Sequence, residues 1–174
     1  MFLFGCTEAD KPIYQEAAPL PPPPGPIVRN KPTIEFDSLY AVLPLAENDN
    51  IFKNSQAVGL TKAEIMVVDS LLNKAINEHN QVQEEEFQDM TKAHPEIPFR
   101  KENYFISLPG YKRQLIAAVN SKGEKEVWVN CFCTNNKKWR WQMVYVMDGG
   151  NCYFNLKINL AKKSWYDFMV NGLA

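Results

Sequence analysis

Histidine is scarce in this chain of 174 residues: only His79 and His94 occur. None of the common phosphate-binding, nucleophile-elbow, zinc-protease or dinucleotide patterns is present, so the usual enzyme readings have no local anchor. No apolar run approaches the roughly 18 residues of a membrane-spanning helix. A formal net charge of −1 supplies no overall pull toward nucleic acid or membrane.

The charge is unevenly placed. Residues 61–104 carry five basic and nine acidic side chains, whereas residues 105–174 carry ten and four. Either the acidic part packs on the basic part, or one of them faces a charged partner.

The first residues, Met1-Phe2-Leu3-Phe4-Gly5-Cys6, read as the end of an apolar signal segment with a small residue before cysteine. This is the pattern at which an N-terminal cysteine receives lipid. Only five residues precede Cys6 and none is basic, short of the roughly 7–15 apolar residues of an export signal. Two readings follow: translation starts upstream and Cys6 is the lipidated anchor, or Cys6 is an ordinary cysteine. The polar, Pro-rich stretch that follows favours an anchor. Pro19 to Pro26 should be extended polyproline, a semi-rigid spacer. The chain thus divides into a signal remnant and linker, 1–32, and one domain, 33–174. The expected location is the bacterial cell envelope, with the membrane as partner through a lipid on Cys6.

Thr33 to Asp37 alternates like a short strand, and Asn48-Asp49-Asn50 reads as a turn. Thr61-Lys62-Ala63-Glu64 is a capping box, and Leu60 with Ile65 forms a hydrophobic staple. Ile65, Val68, Leu72, Ala75 and Ile76 then share a face at helical spacing over 61–82. Glu84-Glu85-Glu86 extends it as a fraying end, and His94 to Pro98 breaks it. Strands are expected at Tyr111–Asn120, Glu126–Cys133, Trp139–Met147, Cys152–Leu160 and Trp165–Val170, joined by Gly- and Asn-rich turns. The fold class is α+β: one amphipathic helix packed on a curved antiparallel sheet of four to five strands, with the second sheet face wet. In element order this resembles cystatin-like and nuclear-transport-factor-like folds, which host inhibitors, enzymes and binding modules alike.

The candidate site is that wet face. Trp128, Tyr153 and Trp165 would make a platform for a protein or glycan, with Asn130, Asn155 and Lys157 as polar fixers. Ordinary cross-strand packing is the bland alternative. In an exported protein Cys152 pairs more easily with Cys131 or Cys133 than those two pair with each other. The same three cysteines with His79 or His94 make a weak zinc set without C-x-x-C spacing. His79 with Cys131 or Cys133 makes a nucleophile–base pair only if the sheet presents the thiol.

The segments Asp148-Gly149-Gly150-Asn151-Cys152-Tyr153-Phe154 and Asp167-Phe168-Met169-Val170-Asn171-Gly172 resemble a group of uncharacterised bacterial lipoproteins, chiefly from Bacteroidetes. The resemblance implies a lipoprotein and brings no chemistry. Three functions stand as expectations: a non-enzymatic lipid-anchored binding protein, an inhibitor or immunity-type protein, and a small thiol enzyme. No cofactor, metal or nucleic-acid partner is expected.

Overall fold

A computed structural model describes residues 39–48 and 50–172. Cys6, the Pro-rich linker and the strand expected at Thr33–Asp37 lie outside those residues.

The capping box forms as the sequence implies. Thr61 Oγ1 accepts from the Glu64 amide, and Glu64 Oε2 accepts from the Thr61 amide at 2.8 Å. Helix α1 then runs over Lys62–Ala93, about 48 Å at 1.5 Å per residue. Its buried side chains all lie in the first half: Ile65, Val68, Leu71, Leu72, Ala75 and Ile76. The helix continues beyond the expected end because it gains new partners. Asn80 brackets the Ile106 backbone, donating to its carbonyl and accepting from its amide at 2.9 Å each. Phe87 meets Tyr104 and Phe105 edge to face. The stretch from Asn77 to Ala93 nonetheless overhangs the core, with five acidic residues against one lysine.

Four consecutive antiparallel strands form the meander: β3 (Lys112–Val119), β4 (Lys125–Phe132), β5 (Tyr153–Asn159) and β6 (Ser164–Val170). Two short strands add to the outer edge of β3 and make the sheet mixed and six-stranded. β1 (Tyr40–Val42) runs parallel to β3 and β2 (Gln56–Ala57) antiparallel to it. One helix on an open sheet, an α+β arrangement, is therefore the fold.

The main core lies between α1 and the sheet. Leu115, Ala117, Val127, Val129, Cys131, Phe154, Leu156 and Ile158 supply the sheet side. At about 1.5–3 kcal/mol for each fully buried large aliphatic or aromatic side chain, this layer dominates the stability of the domain.

Sequence expectations are corrected for the second sheet face and its covering segment, and for Trp165. The second face is not wet. Ile116 and Ala118 lie under Leu43, Leu45 and Phe52, and Phe132 lies under Trp139 and Val144. Residues 43–52 cover one part of it, and the rest is covered by the segment expected as a strand, Trp139–Met147, which pairs with no strand. Its backbone is bonded by side-chain amides instead of a ladder. Gln114 Nε2 donates to the carbonyls of Trp139 and Gln142 at 2.5 and 2.7 Å, and Gln114 Oε1 accepts from the Val144 amide at 2.9 Å. Asn130 Nδ2 donates to the Val144 carbonyl at 2.8 Å, and Asn171 Nδ2 to those of Val146 and Asp148. Buried backbone polar groups must find partners, and here three amides provide them.

Trp165 is the other correction. It pairs with Ile158 and packs on the helix side, opposite Trp128. A bulge at Asp167 (φ 51°) places two residues of β6 opposite Leu156 alone. Trp165, Phe168 and Val170 consequently all pack toward the helix, which strict alternation forbids.

Candidate functional site

The register puts five of the six proposed binding residues on one face: Trp128 opposite Lys157, Asn130 opposite Asn155, and Phe132 opposite Tyr153. That face has no open platform. Asn130 is 8% exposed. The Trp128 indole donates to Asn155 Oδ1 at 3.3 Å. Lys157 is paired with Asp167 at 3.1 Å and lies 5.7 Å from the ring centres of both Phe52 and Tyr166. The Tyr153 hydroxyl shares a hydrogen bond with Thr134 Oγ1 at 2.9 Å. These side chains hold the sheet and its cover together.

The surface displayed outward is the cover itself. Cys133 and Cys152 are joined by a disulfide with Cα atoms 5.1 Å apart, closing the loop between β4 and β5 at its neck. Gly149 (φ 90°) makes the return turn, where a Cβ would come within 2.8 Å of the Tyr153 ring. The inner side of the loop is pinned by Trp139, clamped between Phe132, Lys112 and the Arg140 guanidinium, which stands 4.6 Å from its ring centre. The outer side presents Trp141, Tyr145 and Met147 at 58, 77 and 81% exposure. Exposed Lys137 and Lys138 precede them in the loop. Contiguous exposed apolar surface marks contact sites in general, and these three side chains make the loop the candidate.

The loop reads locally as a strand because Trp139–Met147 is rich in aromatic and β-branched residues. Two signals in the sequence point to it: turn-forming residues at both ends, Asn135-Asn136 and Asp148-Gly149-Gly150, and the Cys133–Cys152 spacing.

The other candidates come apart. Cys133 is oxidised, and the Cys131 thiol is fully buried. Burial pushes the Cys131 pKa up, Asp69 adds to this, and Arg113 opposes it. A nucleophilic thiolate is disfavoured there. His79 is stacked on Phe168 with ring centres 5.1 Å apart, and its Nε2 is buried without a hydrogen-bond partner. Desolvation pushes its pKa down against the pull of Glu86. His94 caps the far end of α1, beside Glu96. Among the described residues no group of three or more His, Cys, Asp or Glu is placed to hold a metal ion.

Two grooves lie among the described residues. One, of about 600 Å³, opens between β1 and β2 and is lined by Val42–Ala46, Ala57–Gly59 and Ala117, with no ionisable side chain. The other, of about 330 Å³, contains Lys157, Glu126 and Tyr166. Two of its charges are engaged, Lys157 by Asp167 and Glu126 by Asn159, and Lys53 also lines it. Burial and Glu126 push the Tyr166 hydroxyl up to about 12. The first groove offers no acid, base or nucleophilic side chain.

The fold is thus an α+β domain that carries a disulfide-closed loop with exposed aromatic side chains. No protein-family model, curated protein or solved structure matches this chain.

Proposed function

We propose that this protein is a non-enzymatic binding protein of the bacterial cell envelope, anchored through a lipid on Cys6. Its recognition surface is the loop between Cys133 and Cys152. The observation that carries this reading is the outward display of Trp141, Tyr145 and Met147 on a loop whose inner side is fixed by Gln114, Asn130 and the disulfide. A fixed loop holds its contact groups in place before binding, which lowers the ordering cost of association. The sheet-face platform of Trp128, Asn130, Tyr153, Asn155, Lys157 and Trp165 is replaced by this loop, because its members are covered or split between two faces.

A photo-crosslinking residue at Tyr145, compared with one at Asn73 on the helix, tests the proposal in the source cells. Adducts formed from position 145 and not from position 73 support it. Equal labelling from both positions removes the loop from the reading.

One observation supports a second reading, an inhibitor or immunity-type protein. The acidic overhang of α1, with Glu84, Glu85, Glu86 and Asp89, extends past the buried part of the helix, with Lys101 4.0 Å from Glu84, and offers a net acidic surface to a basic partner. Binding of such a partner should weaken steeply with salt. Salt-insensitive binding, or retention after Glu84, Glu85 and Glu86 are changed to Gln, argues against it.

A further inference from the structure

The chemistry of the exposed loop is that of a bilayer interface, and we propose that it docks on an anionic lipid surface. The proposal rests on the loop being the recognition surface and names what it meets.

Tryptophan and tyrosine concentrate where hydrocarbon meets headgroups, because each has an apolar body and a polar tip. Trp141 and Tyr145 stand outward here with no part in the core, together with Met147, the most exposed of the three. Their neighbours Val144 and Trp139 are buried at 7 and 6% exposure and anchor the loop from below. The outward side chains therefore have no apolar place within the loop to retreat to.

The surrounding charge decides between lipid and protein. Lys137 and Lys138 are exposed just before this set, Arg140 lies between, and the first acidic residue of the loop is Asp148. Lysine is depleted at protein interfaces. Against an anionic leaflet each lysine near the surface is worth about 1 kcal/mol. Few insertable side chains beside a basic rim suit a shallow, reversible membrane contact better than a broad protein interface.

Flotation with vesicles tests this, using the full chain with Cys6→Ser so that no lipid anchor can form. The vesicles are phosphatidylcholine alone, or phosphatidylcholine with phosphatidylglycerol. The parent chain is expected to float with the anionic vesicles only, and Trp fluorescence is expected to shift to the blue. Lys137→Glu with Lys138→Glu should lower vesicle affinity by at least about thirtyfold, the equivalent of two such lysines. Trp141→Ala with Tyr145→Ala should abolish flotation while the unfolding midpoint is kept. Lys122→Glu with Lys163→Glu, placed at hairpin turns away from the loop, should float like the parent. No flotation of the parent, equal flotation with neutral vesicles, or indifference to the loop changes overturns the proposal. A protein adduct at position 145 without flotation keeps the loop as the recognition surface and rejects lipid as its target. Absence of both removes both readings.

Discussion

Gln114 on β3 and Asn130 on β4 face each other, and Asn130 Nδ2 donates to Gln114 Oε1 at 3.1 Å. Gln114 is fully buried, and both of its amide hydrogens and its oxygen are in use. This pair is the polar rivet between the sheet and its cover. Gln114→Leu fills similar volume but strands the Trp139 and Gln142 carbonyls and the Val144 amide. It should cost about 3 kcal/mol in urea unfolding. Amide exchange should accelerate most in residues 139–146.

Removing the disulfide with Cys133→Ala and Cys152→Ala opens a closure of sequence separation 19. Loop-closure entropy sets the expected loss at about 3 kcal/mol. The helix face should stay folded, since its core does not use these sulfurs. Near-ultraviolet circular dichroism with a thermal midpoint checks both statements.

Thiol labelling distinguishes the three described cysteines. In the Cys6→Ser chain without reductant, Cys131 should react only on unfolding, since it is fully buried and its pKa is raised by burial. Reduction should release two further thiols and add about 2 Da to the intact mass. Rapid labelling of one thiol in the native, unreduced chain would revive the thiol-enzyme reading.

Glu124 links the β3–β4 and β5–β6 turns, accepting from Lys162 and Asn159 at 2.9 Å each and from Asn120 at 3.2 Å. The hydrogen bond from Lys162, then those from Asn120 and Asn159, lower its pKa from 4.5 to about 2. A lowered folded-state value means the contribution is full above the unfolded pKa and is lost as pH falls toward about 2. Glu124→Gln should therefore flatten the acid limb of stability between about pH 5 and pH 2. An unchanged acid limb would show that Glu124 is not part of it.

Asp167 holds a left-handed backbone conformation at the bulge, and its pair with Lys157 is exposed enough to be worth little. Asp167→Gly should stay within about 0.5 kcal/mol of the parent. Asp167→Val should cost about 1–2 kcal/mol, because a β-branched residue resists positive φ. Equal stability of the two variants would deny the bulge its backbone requirement.

Local chemistry made the helix and meander legible. Thr61 and Glu64 announce the helix start, and the expected strands at Tyr111–Asn120, Glu126–Cys133, Cys152–Leu160 and Trp165–Val170 overlap β3 to β6. What was not legible depends on distant partners. β1 is three residues long and finds its register at Arg113–Leu115, far along the chain. The far half of α1 is supported by Asn80 and Phe87 through contacts made only after the chain turns back. The same cause misplaced the site. Trp139–Met147 is rich in aromatic and β-branched residues, as strands are, and no local pattern tells lying on a sheet from joining one. A one-residue bulge inverted the expected side of Trp165, as any register shift does when the period is two.

The position of α1 ahead of β3 to β6, which supply most of the sheet it packs on, has a consequence for biosynthesis. The helix leaves the ribosome before the sheet that will cover Ile65, Val68, Leu72 and Ile76 exists. At about 5–20 residues per second, β6 follows the end of α1 only after roughly 4–16 seconds. During that interval the apolar stripe lacks β3 to β6, which supply most of its native cover. A chaperone that holds amphipathic helices should thus meet this chain early, and release should wait for the last strand.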